Sequence, residues 1–186
     1  DSAGISTIDK NNIIVEKDVG KIHEIESNIN LSSLNGDIGI SHCRWATHGK
    51  VTKENAHPHT DCSGDISIVH NGIIENFSEL KEKLIQKGHK FCSSTDTEVI
   101  AHLIEDNYNG DIEEAARIAL KQVEGSYALG IICAKEPNKL IAARNESPLI
   151  LGLGNGENFI ASDVPAILKY TNRVVYLENN EMAVLE

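Results

Sequence analysis

Residues able to do chemistry concentrate in four short segments of this 186-residue chain: Cys43-Arg44-Trp45-Ala46-Thr47-His48-Gly49, Asn55-Ala56-His57-Pro58-His59, His70-Asn71-Gly72-Ile73-Ile74-Glu75-Asn76 and Thr95-Asp96-Thr97-Glu98. Each admits a chemical role and a plain structural one. Arg44 could clamp a substrate carboxylate through two parallel hydrogen bonds, with Trp45, Thr47, His48 and Gly49 as a cover. It could equally be a surface arginine beside a partly buried tryptophan. The amide of Asn71 and the N–H of Gly72 could converge on a developing oxyanion. The same dipeptide is the commonest signal for a tight hairpin turn. Asp96 could hold an ammonium group, or it could serve a helix N-terminus inside the capping box Thr95-Asp96-Thr97-Glu98.

His42, His48, His57, His59 and His70 lie along the chain near Cys62, which suggests a metal. The pair His57-x-His59 with a distant cysteine fits no usual zinc spacing, so the metal reading is set aside here. The four cysteines, Cys43, Cys62, Cys92 and Cys133, form no C-x-x-C pair and read as reduced thiols rather than a disulfide framework.

The elements that must position these segments follow from periodicity and turn chemistry. Ser2–Ile8 and Ile13–Glu16 flank Asp9-Lys10-Asn11-Asn12 as a hairpin. Ile22, Ile25 and Ile29 at helical spacing predict a short helix over 21–29. A strand is expected over 37–43, then a long loop over 44–64, of the kind that often carries function. A strand over 65–70 precedes Asn71-Gly72. Asn76 with Glu79 is a capping box opening a helix closed by Gly88, Thr95–Glu98 opens a second, and Asp111 a third. Short strands follow over 126–134, 140–144, 149–153 and 159–161, then a helical turn over 164–169. Val174–Leu177 and Met182–Leu185 end the chain as a hairpin. Strands, then helices, then strands indicate an α+β domain with mainly antiparallel sheets.

Composition agrees. Hydrophobic residues at 40% and charged residues at 24% exclude disorder and collagen-like repeats. No apolar run approaches the roughly 18 residues of a membrane span, and no signal peptide opens the chain, so a cytoplasmic protein is expected. The formal charge of −11 argues against nucleic-acid binding.

Taken together, the four segments resemble the glutaminase domain of the glutamine–fructose-6-phosphate aminotransferase family, within the class II glutamine amidotransferases. Gly125-Ser126-Tyr127-Ala128, Ala142-Ala143-Arg144, Ser147-Pro148-Leu149, Gly152-Leu153-Gly154 and Glu157–Asp163 extend the resemblance over essentially the whole chain. It implies an N-terminal-nucleophile hydrolase fold, a four-layer αββα sandwich with two mainly antiparallel sheets, over residues 1–186. It implies that Arg44 holds the glutamine α-carboxylate and Asp96 the α-ammonium. Asn71 and Gly72 would form the oxyanion hole. Trp45, Thr47, His48 and Gly49 would belong to the loop closing over glutamine, and His57 and His70 would support the site. No metal or organic cofactor is implied. The implied partners are L-glutamine and a sugar-isomerising synthase domain that binds fructose 6-phosphate, in a full-length enzyme that is a homo-oligomer.

In that family the nucleophile is a cysteine at the mature N-terminus, whose α-amino group acts as general base. Asp1-Ser2-Ala3-Gly4 resembles a segment inside the family domain. The nucleophile and its strand are therefore expected outside this chain, which alone should be inactive and should carry an unpaired sheet edge. Rival readings are an amidotransferase domain for another acceptor, as in amidophosphoribosyltransferases or asparagine synthetases, and a non-catalytic glutamine-binding fragment.

Overall fold

A computed structural model of the chain describes residues 1–30, 32, 34–44 and 50–186. β1 (Ser2–Asp9) and β2 (Asn12–Val19) form the expected antiparallel hairpin. Lys10 and Asn11 make its two-residue turn with φ of 49° and 62°, the left-handed pair that matches strand twist. β3 (Gly39–Arg44) pairs with the other edge of β1, with Ser2 opposite Arg44 and Thr7 opposite Gly39. The helix expected over 21–29 is α1 (Ile22–Asn28). It has fewer than two turns, so only Ile25 of the apolar stripe is buried, while Ile22 stays exposed.

The second sheet has five antiparallel strands in the order β11-β7-β6-β5-β4. These are β4 (His59–Thr60), β5 (Ile66–Ile74), β6 (Gly125–Cys133), β7 (Leu140–Asn145) and β11 (Glu181–Leu185). Successive side chains point to opposite faces. One face presents Ile66, Ile68, Leu129, Ile131 and Ile141 to the helices α2 (Phe77–Gln86), α3 (Glu98–Asn107) and α4 (Ile112–Leu120). The helices answer with Leu84, Val99, Ile100, Ile104 and Ala116.

Two three-stranded sheets cover the other face. β2-β1-β3 packs Ile8 and Ile40 on Val69 and Ile132. The second contains β8 (Ile150–Leu153), β9 (Asn158–Ala161) and β10 (Val174–Tyr176) in the order β10-β8-β9, and Leu149, Leu151 and Leu177 meet Ala128 and Ala142. On its outer side Gly152 lies against Ile167, just beyond a 3₁₀ turn at Val164–Ala166. The layers are thus αββα, with the second β-layer in two pieces. Among the described residues β3 and β9 each keep one unpaired edge. A cavity of about 170 Å³ lies between them, lined by Gly39, Ile40, Ser41, Asn158, Phe159 and Ile160 and floored by Val69 and Leu140.

Four local expectations fail. Asn71-Gly72 is no hairpin turn: β5 runs through it to Ile74, with Asn71 opposite Ala128 and Gly72 opposite Tyr127. The long ladder with β6 overrides the turn signal. The side chain of Asn76 does not cap α2. Its Nδ2 donates to Gln122 O (2.9 Å) and its Oδ1 accepts from Glu124 N (3.0 Å), tying α2 to the start of β6. Val174–Tyr176 and Glu181–Leu185 do not pair with each other, because β10 joins β8 and β11 joins β7. The loop over 44–64 contains the short strand β4, which pairs with β5 through His59 and Ile68.

α4 does open as the sequence predicts, with Asp111 accepting from the N–H groups of Glu113 and Glu114. Removing that cap in Asp111→Ala should cost about 1 kcal/mol. Ile104→Ala should cost more, about 2–5 kcal/mol, because Ile104 is wholly enclosed between α3 and the sheet. Urea unfolding of both variants checks this order.

Candidate functional site

A cavity of about 370 Å³ opens where β3, the end of β5 and the start of α3 meet. Its walls include Arg44, His57, His70, Asn71, Gly72 and Asp96, which are all the expected site residues among the described ones. Trp45, Thr47, His48 and Gly49, expected to cover the site, lie outside the described residues. The volume falls in the roughly 300–1,000 Å³ range of small-molecule sites.

β3 brings Arg44 to the pocket at its last residue, buried and opposite Ser2 of β1. β5 brings Asn71 and Gly72. Gly72 has φ of +144°, and a Cβ there would lie 2.1 Å from Ser126 O, so no side chain fits without moving β6. Asn71 points away from the core and is exposed at the pocket.

The segment Thr95–Glu98 holds the opposite wall, and its side chains do not form the expected capping box. Thr97 occupies the N-cap of α3 with helical dihedrals and no side-chain cap bond. Asp96 Oδ2 instead accepts the N–H of Ile74 (2.8 Å), which ties the helix start to the end of β5. Oδ1 is not used in that contact, and Asp96 lines the pocket. Glu98 turns back to accept from Cys92 N (2.7 Å), Ser93 N (2.6 Å) and Ser93 Oγ (2.6 Å). Burial opposes its charge, but hydrogen bonds from His102 and from Cys92 and Ser93 hold the carboxyl down to about 2.

Thr97 and Lys17 are the structurally important residues that local sequence reading missed. Thr97 Oγ1 lies 2.9 Å from His57 Nε2 and 2.9 Å from His70 Nδ1. His70 Nε2 lies 3.3 Å from Ser126 O, and His57 Nδ1 lies 2.9 Å from His42 Nδ1. A carbonyl can only accept, so His70 carries its proton on Nε2. Its Nδ1 then accepts from the Thr97 hydroxyl, whose oxygen accepts from His57 Nε2–H. His57 Nδ1 in turn accepts from His42 Nδ1–H. This order requires His57 and His70 to be neutral. Burial pushes His42 down to about 4, reinforced by His70 and Arg44, and drives His57 well below its ordinary range. It lowers His70 as well, against the pull of Asp96.

The segment Asn55–His59 is braced from both sides. Lys17 Nζ, on β2, donates to Ala56 O (2.7 Å) and Pro58 O (2.8 Å). Asn55 Oδ1 accepts from Ser94 N (2.9 Å), and its Nδ2 donates to Lys50 O (2.9 Å). His59 Nε2 meets Thr95 Oγ1 at 3.1 Å. These residues position the pocket walls. Thr97 sat inside a recognised segment, but its role depends on two histidines brought in by other elements.

Fold and pocket together define an amidotransferase domain: residues 42–169 match the family described as glutamine amidotransferase domain, and the chain belongs to that family. Its curated relatives include the isomerizing glutamine–fructose-6-phosphate aminotransferases of Methanothermobacter thermautotrophicus and Pyrococcus horikoshii, each 54% identical over the full length of this chain. The chain spans 32% and 31% of those two proteins, about a third of their length. Among solved structures, glutamine phosphoribosylpyrophosphate amidotransferase from B. subtilis superposes with a TM-score of 0.82 at 30% identity, covering 98% of this chain and 40% of that one. A glutamine aminotransferase class-II domain protein from Silicibacter pomeroyi shares the fold at a TM-score of 0.66 and 15% identity, covering 98% of this chain and 86% of that one. The αββα layering is that of the N-terminal-nucleophile hydrolase amidotransferases.

The neutral histidines make stability depend on pH. His42 titrates near 4 and His59 near 3 in the native state, lowered chiefly by burial, against an ordinary 6.5. Above about pH 6.5 both states bind the same protons at these rings. Below it the unfolded chain takes up protons that the native rings refuse, so stability falls with a slope of about 1.4 kcal/mol per pH unit for each refused proton. Thermal melting from pH 6.5 to 5.5 should show this decline before carboxylates of ordinary pKa, about 4, begin to titrate. His59→Gln should make the slope shallower; an unchanged slope would contradict a neutral His59.

Proposed function

We propose that the pocket binds L-glutamine and that the domain is the glutaminase part of a glutamine–fructose-6-phosphate aminotransferase. The observation that carries this reading is the placing of Arg44 and Asp96, of opposite charge, on the walls of one cavity that also holds Asn71 and Gly72. Arg44 takes the α-carboxylate. Asp96 takes the α-ammonium through the carboxylate oxygen not held by Ile74. The amide of Asn71 and the N–H of Gly72 face the side-chain carbonyl. Trp45, Thr47, His48 and Gly49 cover the bound amino acid. His57 and His70 support the wall in their neutral forms.

In the reaction a thiolate attacks the amide carbon, and the oxyanion that forms is held by Asn71 and Gly72. The C–N bond then breaks as the nitrogen takes a proton, giving ammonia and a glutamyl thioester. Water adds to the thioester, releasing glutamate and the thiol. The family resemblance assigns the thiol to a cysteine at a mature N-terminus. The cavity between the free edges of β3 and β9 supports a place for the strand that carries it. A strand there would lie along β3 and end beside Cys43 and Arg44, at the glutamine pocket. The relatives' remaining length accounts for a sugar-isomerising domain that takes the ammonia to fructose 6-phosphate, in a cytoplasmic homo-oligomer. The 54% identity to glutamine–fructose-6-phosphate aminotransferases, against 30% to the phosphoribosylpyrophosphate enzyme, favours this acceptor over a phosphoribosyl one.

Glutamine titrated into the chain should bind. Arg44→Ala and Asp96→Asn should each weaken binding about 10- to 150-fold, as loss of a charge-assisted contact of about 1.5–3 kcal/mol requires. Equal affinity for α-N-acetylglutamine would overturn the clamp. In the full-length enzyme Asn71→Ala should lower kcat by about 10²–10³ with melting little changed, because Asn71 is exposed and its side chain makes no hydrogen bond among the described residues. A purely structural Asn71 would lose stability and keep its turnover.

The 186-residue chain alone should release no ammonia from glutamine. All four of its cysteines are internal and carry no α-amino base, and Cys43 is the one that lines the pocket. Steady release abolished by thiol alkylation and by Cys43→Ser would place the nucleophile on β3 instead.

A further inference from the structure

Further along α3 from the pocket, four side chains from three separate segments converge. Cys62 lies in the turn between β4 and β5. His89 follows Gly88, where the chain leaves α2 with φ of +102° and His89 N–H closes on Leu84 O. His102 and Glu105 stand one turn apart on α3. One ligand atom from each lies within 4.8 Å of all the others, the only such group of histidine, cysteine and carboxylate among the described residues.

We propose that Cys62, His89, His102 and Glu105 form a structural zinc site. Cys62 Sγ lies 3.8 Å from His89 Nδ1 and 3.6 Å from His102 Nδ1. Glu105 Oε2 lies 2.9 Å from His89 Nδ1 and 3.2 Å from His102 Nδ1. Zn–S bonds of about 2.3 Å and Zn–N or Zn–O bonds of about 2.0–2.1 Å give a tetrahedron with edges of about 3.6 Å to sulfur and about 3.3 Å between the lighter atoms. The four observed edges match within about half an ångström. One thiolate, two imidazoles and one carboxylate suit zinc rather than magnesium or calcium. Four protein ligands close the coordination sphere, the mark of a structural rather than a catalytic zinc.

The surroundings have the outer shell a zinc site needs. Both histidines turn Nδ1 inward and Nε2 toward a carboxylate, His89 facing Asp106 and His102 facing Glu98, each at 3.6 Å. Those carboxylates stand where they could receive the Nε2 protons once Nδ1 is given to a metal, the usual outer-shell pairing of a zinc-bound histidine. The Lys90 N–H donates to Cys62 Sγ (3.3 Å), while burial and the Glu105 carboxylate push the metal-free thiol up. Without metal both Nδ1 atoms donate to Glu105 Oε2. Binding forms four bonds to zinc, releases the thiol proton, and moves each ring's Nδ1 proton to Nε2, any second ring proton leaving to solvent. The competing explanation is a metal-free network centred on Glu105 Oε2, which also accepts the Cys62 N–H at 3.1 Å.

The test uses the 186-residue chain, stripped with a chelator and dialysed against zinc. Elemental analysis should find one zinc per chain, and the melting midpoint should rise on zinc addition. Cobalt(II) in its place should give the intense visible bands of a tetrahedral site with a thiolate-to-metal charge-transfer band, and Cys62→Ser should abolish that band. Cys62 is exposed, so this variant keeps the fold, which circular dichroism verifies. His89→Gln should weaken zinc binding by more than the roughly 10–100-fold that loss of an outer-shell partner costs. Substoichiometric zinc would overturn the proposal in favour of the hydrogen-bonded network. So would stoichiometric zinc bound equally well by Cys62→Ser and His89→Gln, since the ligands would then lie elsewhere.

Discussion

The hydroxyl of Thr97, donating to one buried histidine and accepting from another, is the joint on which the pocket depends. Through it, β6 at Ser126, β5 at His70, α3 at its first turn, the 50–60 loop at His57 and β3 at His42 are held in one directed line of hydrogen bonds. Because the line ends at a carbonyl that can only accept, each ring has one permitted tautomer, and neither His57 nor His70 can be charged without breaking a bond. A buried polar network of this kind is stabilising only when every member is satisfied. It also explains why so many histidines surround a pocket whose proposed chemistry assigns no proton transfer to them.

The start of α3 shows how a local preference yields to a tertiary one. Thr95-Asp96-Thr97-Glu98 has the sequence of a capping box, a device worth about 1 kcal/mol to a helix. Each of its polar side chains is used elsewhere: Thr95 on His59, Asp96 on Ile74, Thr97 on the two histidines, Glu98 on residues 92 and 93. The helix loses its caps, and the pocket gains a wall fixed to two strands and two loops. Gly72 makes a similar exchange. Its backbone is pressed against Ser126, at a positive φ that a side chain would strain, while the strand runs on unbroken to Ile74 along the pocket wall.

What the sequence reveals divides along the same line. The β1–β2 hairpin and the Asp111 cap are decided within a few residues, and both were legible. Asn71-Gly72 carried a strong turn signal, yet its conformation is decided by pairing with Ala128 and Tyr127, more than fifty positions away. The terminal strands read as a hairpin because each is short and apolar; which sheet each joins is set by Leu149, Leu151 and Ala142 beneath them. For the pocket, residue types and spacing left Asp96 open between a cap and a ligand. The resemblance and the cavity, not periodicity, favour the ligand. Cys62, His89, His102 and Glu105 have no spacing signature, because a turn, a helix C-terminus and a helix face bring them together. Of the histidines that first suggested metal, His42, His57, His59 and His70 are engaged in hydrogen bonds.

α3 connects the two sites. The proposed glutamine ligand Asp96 stands just before its N-cap, and its turns carry His102 and Glu105, with Glu98 facing His102 and also gripping residues 92 and 93. A ligand that binds only the folded chain stabilises it in proportion to the logarithm of its concentration over its Kd. Zinc at Cys62, His89, His102 and Glu105 would therefore add to the stability of α3 and, through Glu98, to that of the loop leading into Thr95–Thr97. Such a staple replaces the cap that α3 lacks. Asp96 and Thr97 would then be free to serve the pocket, while the helix is held by its buried residues and by ligands further along it.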